Sequence, residues 1–192
     1  MSGTNRRVQF TRNALRGALL ELIRQKPIKS ITVTDLCSCA DINRSTFYLH
    51  YKDVYDLLGE MENDLLAQMR GAFPPENEHA LGMLPMIRVV YENRTLCLAI
   101  QGENGDPRFA ERITRLSREA FVSRWRQTMP AREEHQILLI YSFVSAGAAA
   151  VLMQWLRDDC PESPEEVAEL LRQFAESCFA SFAPGTADKP KN

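Results

Sequence analysis

Twenty consecutive residues, Ile137 to Leu156, carry no charged side chain, and any fold the chain adopts has to cover them. A run of that length is enough to cross a bilayer. Its middle, SAGAAA, is only weakly hydrophobic, which favours a helix buried on nearly all sides, with Ala146, Gly147 and Ala149 allowing another helix to approach closely. Just beyond, Ser163 reads as a helix N-cap, Pro164 as the first helical residue and Glu166 as the partner in a reciprocal cap. Val167, Leu170, Leu171, Phe174, Cys178 and Phe182 then form an apolar stripe. Two such helices hold more apolar surface than one small body covers. The expected solution is a homodimer through about residues 136 to 182, in which the same two helices of two copies form a four-helix bundle.

The rest of the chain reads as helices too, so the fold class is all-α. With 45% hydrophobic and 25% charged residues and 9 Gly in 192, the composition is globular and helical in character. Leu15, Ala18, Leu19, Leu22 and Ile23 predict an amphipathic helix from about Thr11 to Gln25, ended by Lys26-Pro27. Arg6 and Arg7 stand ahead of it, in a solvated tail or an arm that touches phosphates. Asp53 caps a helix with Val54, Leu57, Leu58, Met61, Leu65 and Met69 on one face, stopped by Gly71 and Pro74-Pro75 before a loop to His79. Leu84, Ile87, Arg88, Val90 and Tyr91 form the next stripe, and Asn93 caps a short helix with Leu96, Leu98 and Ile100. After a break at Gly102 to Pro107, Phe109, Ile113, Leu116, Ala120, Phe121 and Trp125 run down one helix face, with Arg112, Arg115 and Arg118 on its solvated side.

The chemistry concentrates between Ile31 and Tyr51, ITVTDLCSCADINRSTFYLHY. Thr32 and Asp35 form a reciprocal cap, so a helix starts at Val33, with Val33, Leu36, Cys37 and Ala40 as its stripe. Asp41 sits where the chain turns, near the left-handed region that Asp tolerates. Asn43 caps a second helix whose inward residues are Ile42, Phe47 and Tyr51. Arg44, Ser45, Thr46, Tyr48 and His50 stay outside, a face rich in donors and without a carboxylate. Such a face suits a polyanion: residues early in the helix reach base edges, while Tyr48, His50 and Lys52 reach phosphate oxygens. Taken alone, the same spacing also fits a solvated helical hairpin whose aromatics are core.

The stretch TVTDLCSCADINRSTFYLHYKDVYDLL resembles the helix-turn-helix signature of the tetracycline-repressor (TetR) family of transcriptional regulators. In that signature a run ending T-F-Y-x-H-F or T-F-Y-x-H-Y closes the recognition helix, matched here by Thr46, Phe47, Tyr48, His50 and Tyr51. Two departures stand out. Asp41 occupies the usual turn glycine, and Val54 occupies a position that often holds lysine, leaving Lys52 to make that phosphate contact. The resemblance implies a three-helix helix-turn-helix DNA-binding domain at residues 1–53, a linking helix at about 53–70, and a helical-bundle domain for ligand binding and dimerisation at 71–192. It implies a repressor that binds double-stranded DNA at a palindromic operator as a homodimer, through Thr32, Thr34, Asn43, Arg44, Ser45, Thr46, Tyr48, His50 and Lys52. The run WLRDDCPESPEE from Trp155 resembles the end of one subgroup of such C-terminal domains.

Charge agrees with that division. Residues 1 to 53 hold nine Lys and Arg against four Asp and Glu, a net +5, whereas residues 54 to 192 hold fourteen against twenty-one, a net −7. A small-molecule effector is expected in an apolar cavity lined by Arg88, Tyr91, Phe109, Phe121, Trp125, Tyr141, Met153 and Trp155, although ordinary core explains each aromatic as well. Cys37, Cys39, Cys97, Cys160 and Cys178 are odd in number and lack C-x-x-C spacing, and no signal peptide is evident, so reduced thiols in the cytoplasm are expected. Cys97, His79 and His135 lack the local spacing of a zinc site, and neither metal nor cofactor is expected. A Gly-rich phosphate loop, H-E-x-x-H and G-x-S-x-G are all missing, which argues against an enzyme. The alternative to a DNA-binding regulator is a helical adapter or membrane-associated module resting on Ile137 to Leu156.

Overall fold

The structure, a computed structural model, describes residues 2–73, 83–101, 107–128 and 133–180. Among them the regular elements are helices: α1 (Ser2–Gln25), α2 (Val33–Ala40), α3 (Arg44–Tyr48), α4 (Val54–Ala72), α5 (Leu84–Glu92), α6 (Arg94–Gln101), α7 (Pro107–Thr128), α8 (Glu134–Arg157) and α9 (Pro164–Ala180), with a 3-10 turn at Ile28–Ser30. They divide between two compact units, one drawn from Met1–Ala67 and Asn93–Glu111, the other from Gln68–Glu92 and Arg112–Asn192. Helices α4 and α7 each contribute to both.

In the first unit α1 packs on α2 and α6, and α2 packs on α3. Leu15, Leu19, Leu36, Phe47, Leu57 and Leu65 are fully buried. Their spacing on α1 and α4 is that of the apolar stripes, and burying such a stripe is the main stabilisation available to short helices. Helix α1 begins at Ser2, earlier than its stripe predicts, so Arg6 and Arg7 are exposed residues of a helix and not of a preceding tail or arm. The first two turns hold no proline and no apolar period. They extend the helix without contributing to the stripe that marks it in sequence. Gly71 lies within α4, one residue before its end. The loop to His79 and the break at 102–106 fall outside the described residues. Cys97 on α6 is buried, which pushes its thiol up to about 12.

In the second unit α9 packs on α5 and on α8. Trp125, Ile137, Ile140 and Tyr141 form a buried cluster, with Phe121, Val122 and Val144 against it. Helix α8 ends in a built turn. Asp159 and Cys160 both take positive φ (63 and 55), the Cys160 amide donates to the Trp155 carbonyl (2.9 Å), and the Trp155 indole N–H donates to the Glu162 carbonyl (3.1 Å). Ser163 and Glu166 then exchange backbone-to-side-chain hydrogen bonds at 3.3 and 2.7 Å, the reciprocal cap expected there.

Two expectations are corrected in this unit. Helix α8 is not buried on nearly all sides within one chain: Leu139 is 58% and Phe143 72% exposed, and Ala146, Gly147 and Ala149 are also exposed. On α9 the single stripe divides. Val167 and Leu171 point inward with Ala175, whereas Leu170 (41%) and Phe174 (52%) are exposed and Phe182 lies outside the described residues. Five apolar residues within little more than two turns cover more arc than one neighbour can bury.

Candidate nucleic-acid interface

Local hydrogen bonds fix the start of α2 before any packing does. The Asp35 amide donates to Thr32 Oγ1 (3.1 Å), and the Thr32 amide donates to Asp35 Oδ2 (2.8 Å). Lys26 Nζ reaches the same carboxylate oxygen at 2.8 Å. The lysine's hydrogen bond, helped by those from Thr32, holds the Asp35 carboxyl down at about 2. At the other end Asp41 adopts φ 53 and ψ 47, the left-handed conformation expected of the turn, so aspartate here does the work of a glycine. The Ile42 amide donates to the Cys37 carbonyl (3.0 Å) and closes the turn.

Helix α3 follows at once. Asn43 occupies its N-cap position with extended backbone and no side-chain capping bond, which leaves its exposed amide group to other partners. Phe47 is fully buried, Tyr51 is 4% exposed, and Ile42 is half-buried, so the inward set is as expected. The Phe47 ring meets Tyr48 edge-on at 5.5 Å and Tyr51 at 5.8 Å. Its carbonyl accepts from the amides of both His50 (2.9 Å) and Tyr51 (3.0 Å), tightening the segment after the helix.

The opposite side of α3 is open. Arg44 and Ser45 are exposed, Thr46 and His50 are partly exposed, and the Tyr48 ring is 52% exposed. Thr34 and Lys52 are exposed as well. Thr32 is exposed too, with its hydroxyl engaged in the cap. The Lys52 amide donates to Asp56 Oδ2 (3.0 Å), while the Asp56 amide donates to Asp53 Oδ1 (2.8 Å), so the backbone from which Lys52 projects is pinned to the start of α4. From Ile42 to Lys52 no residue is acidic. The result is an exposed set of cationic, hydroxyl and amide donors on a hydrogen-bonded backbone, suited to phosphates and base edges. Sequence reasoning missed Leu49, 81% exposed beside Tyr48, and Tyr55, 52% exposed on α4. An apolar residue among outward polar neighbours was the available signal for Leu49.

The candidate effector residues fall in both units. Phe109 is 1% exposed and belongs to the first unit, whereas the others lie in the second. Phe121, Trp125 and Tyr141 are together, with the Tyr141 hydroxyl 2.5 Å from Ser117 Oγ and 3.1 Å from the Thr114 carbonyl. Tyr91 stacks on Trp155 at 5.7 Å. Arg88 is exposed and paired with Glu165 at 2.6 Å, a bond that lowers the Glu165 carboxyl. Met153 is buried.

Residues 78–177, more than half of the chain, match a family described as a transcriptional regulator C-terminal region, of the TetR type. The chain belongs to the TetR family of transcriptional regulators. An uncharacterized HTH-type transcriptional regulator of Bacillus subtilis (strain 168), YxbF, is 22% identical over 189 residues, covering 91% of this chain and 48% of that protein. The chain therefore spans about half the length of this curated relative. Two solved structures share the fold. One is a transcriptional regulator from Aquifex aeolicus VF5 (16% identical, TM-score 0.65, covering 87% of this chain and 98% of that one). The other is NalD, the secondary repressor of the MexAB-OprM multidrug efflux pump in Pseudomonas aeruginosa (18%, TM-score 0.62, 90% and 96%).

Proposed function

We propose that this protein is a cytoplasmic transcriptional regulator that reads a palindromic operator in double-stranded DNA as a homodimer. The observation that carries the reading is the exposed, carboxylate-free side of α3, held between a capped α2 and a buried Phe47. Arg44 and Thr46, with Asn43 and Ser45, contact base edges, whereas Tyr48, His50 and Lys52 contact phosphates, and Thr32 and Thr34 face the same backbone. One helix of five residues spans few base pairs, so two copies multiply selectivity on a palindrome. The exposed rows Leu139–Phe143 on α8 and Leu170–Phe174 on α9 supply the surface through which two copies pair.

The regulator acts as a repressor, in keeping with what NalD's name says of that protein. A small apolar effector binds in the C-terminal region among Phe121, Trp125 and Tyr141, with Tyr91, Trp155 and Arg88 in the same unit. Its binding favours an arrangement of the dimer that holds operator less tightly. The domain division is 1–53 for DNA reading and 71–192 for regulation, with α4 between them. A second reading, a membrane-associated helical module, rests on α8, long and apolar enough to cross a membrane with 22% of its most apolar window buried.

Selection of duplexes from a random library by the purified protein tests the first reading. The expected product is a palindrome bound more weakly as salt rises. Tyr48→Ala then weakens selected and scrambled duplexes alike, while Arg44→Ala or Thr46→Ala relaxes base preference at one position of each half-site. No enrichment of any duplex, together with a need for detergent to stay soluble, favours the second reading.

A further inference from the structure

Glu60 gathers an unusual set of donors. Its Oε1 accepts from the Tyr51 hydroxyl (2.8 Å) and from Arg16 (2.8 Å), and its Oε2 pairs with Arg12. Arg12 also donates its Nε–H to the Tyr51 hydroxyl oxygen (3.3 Å), with its guanidinium 6.0 Å from the centre of that ring. Arg16 pairs in addition with Asp64. Arg12 and Arg16 stand one turn apart on α1, as Glu60 and Asp64 do on α4, so two charged rungs join these helices with Tyr51 inserted at the first. Burial alone would raise the Glu60 carboxyl, yet the bonds from Arg16 and Tyr51 outweigh it and keep the group below its ordinary range.

Tyr51 is the link to the recognition helix. Its amide donates to the Phe47 carbonyl, and its ring lies against the Phe47 ring, which anchors α3 from inside. The hydrophobic burial of these rings is not directional, and their edge and tilt preferences are broad. Hydrogen bonds are, and the hydroxyl of a tyrosine at this position ties the end of the α3 segment to one point on α4 where a phenylalanine would only fill space. Half-exposed ion pairs such as those of Arg12 contribute little to stability, which leaves geometry as what the arrangement supplies. Helix α4 runs on from this point to Ala72, contributing to both units.

We propose that Glu60 is a positioning residue for DNA reading, fixing the recognition helix against α4 through the Tyr51 hydroxyl. The proposal rests on the DNA-reading function above, and two readouts separate them. Full-length wild type, Tyr51→Phe and Glu60→Gln are compared by amide hydrogen exchange without DNA, and by binding to the wild-type-selected duplex and a scrambled one. In both variants the His50 and Tyr51 amides lose about tenfold in protection, the worth of one hydrogen bond to a charged group, while amides of α2 keep theirs. Affinity for the selected duplex falls about tenfold and that for the scrambled duplex less than about twofold, and the double variant is no worse than the weaker single one. Exchange and selective binding both at wild-type level in Tyr51→Phe overturn the tether. So does equal weakening of both duplexes in Glu60→Gln, which marks Glu60 as a general electrostatic or structural element. If wild type selects no duplex at all, the DNA-reading function fails and the tether's purpose with it, whereas intact selection with unchanged exchange removes the tether alone.

Discussion

Replacing Phe143 by lysine is the most direct attack on the proposed dimer. The side chain is 72% exposed on α8, in line with Leu139 one turn earlier, also exposed. Taking ~200 Å² for a free phenylalanine, Phe143 offers ~140 Å² of apolar surface, or ~3.5 kcal/mol at ~25 cal/mol per Å². A two-fold axis doubles the loss to ~7 kcal/mol per dimer, and since association realises only part of the area's nominal value, about half of that is the working figure. That corresponds to a dimer dissociation constant raised ~300-fold, before counting the repulsion of two lysines brought close across the axis. Sedimentation velocity at micromolar protein reads the change as a shift from dimer to monomer. Circular dichroism should stay the same, because the residue is not part of the monomer's core. A Phe143→Lys protein that remains fully dimeric, with Phe174→Lys dimeric as well, refutes the assignment of this face.

Two further outcomes test how the head is built. Phe47→Ala removes a fully buried ring from α3 and should cost ~3–5 kcal/mol in urea unfolding of the intact protein; a cost under ~1 kcal/mol contradicts its role as the inner anchor. Asp35 gives a pH dependence whose sign follows from its folded value of about 2 against an ordinary 3.8. The folded state binds the proton less readily than the unfolded state, so the carboxylate's contribution is complete above the unfolded value and is lost as pH falls from 3.8 toward about 2. Thermal melts across that window should be steeper in pH for wild type than for Asp35→Asn, and equal slopes contradict the Lys26 and Thr32 bonds as the cause.

What could be read from the sequence is what is local in it. Thr32 and Asp35 cap each other across three residues, Asp41 needs only its own backbone to turn left-handed, and Phe47 is buried because its neighbours on the inner side of α3 are apolar. The Glu60 cluster is of another kind. Its members Arg12, Tyr51 and Glu60 are separated by up to 48 residues, and a charged residue on a helix looks the same in sequence whether it faces water or a tyrosine hydroxyl. Apolar rows raise the converse difficulty. Periodicity marks Leu170 and Phe174 as belonging with Val167 and Leu171, and uncharged composition marks Leu139 and Phe143 as buried, but neither signal says which neighbour provides the cover. Phe109 meets the same limit: α7 contributes to both units, and a stripe along one helix does not say in which unit each of its turns packs. A stripe therefore states how much surface must be covered, and the fold states by what. Where one chain leaves a stripe half covered, as on α8 and α9, the remainder is the surface that the proposed pairing would bury, and on that proposal Phe143 and Phe174 decide whether two recognition helices act together.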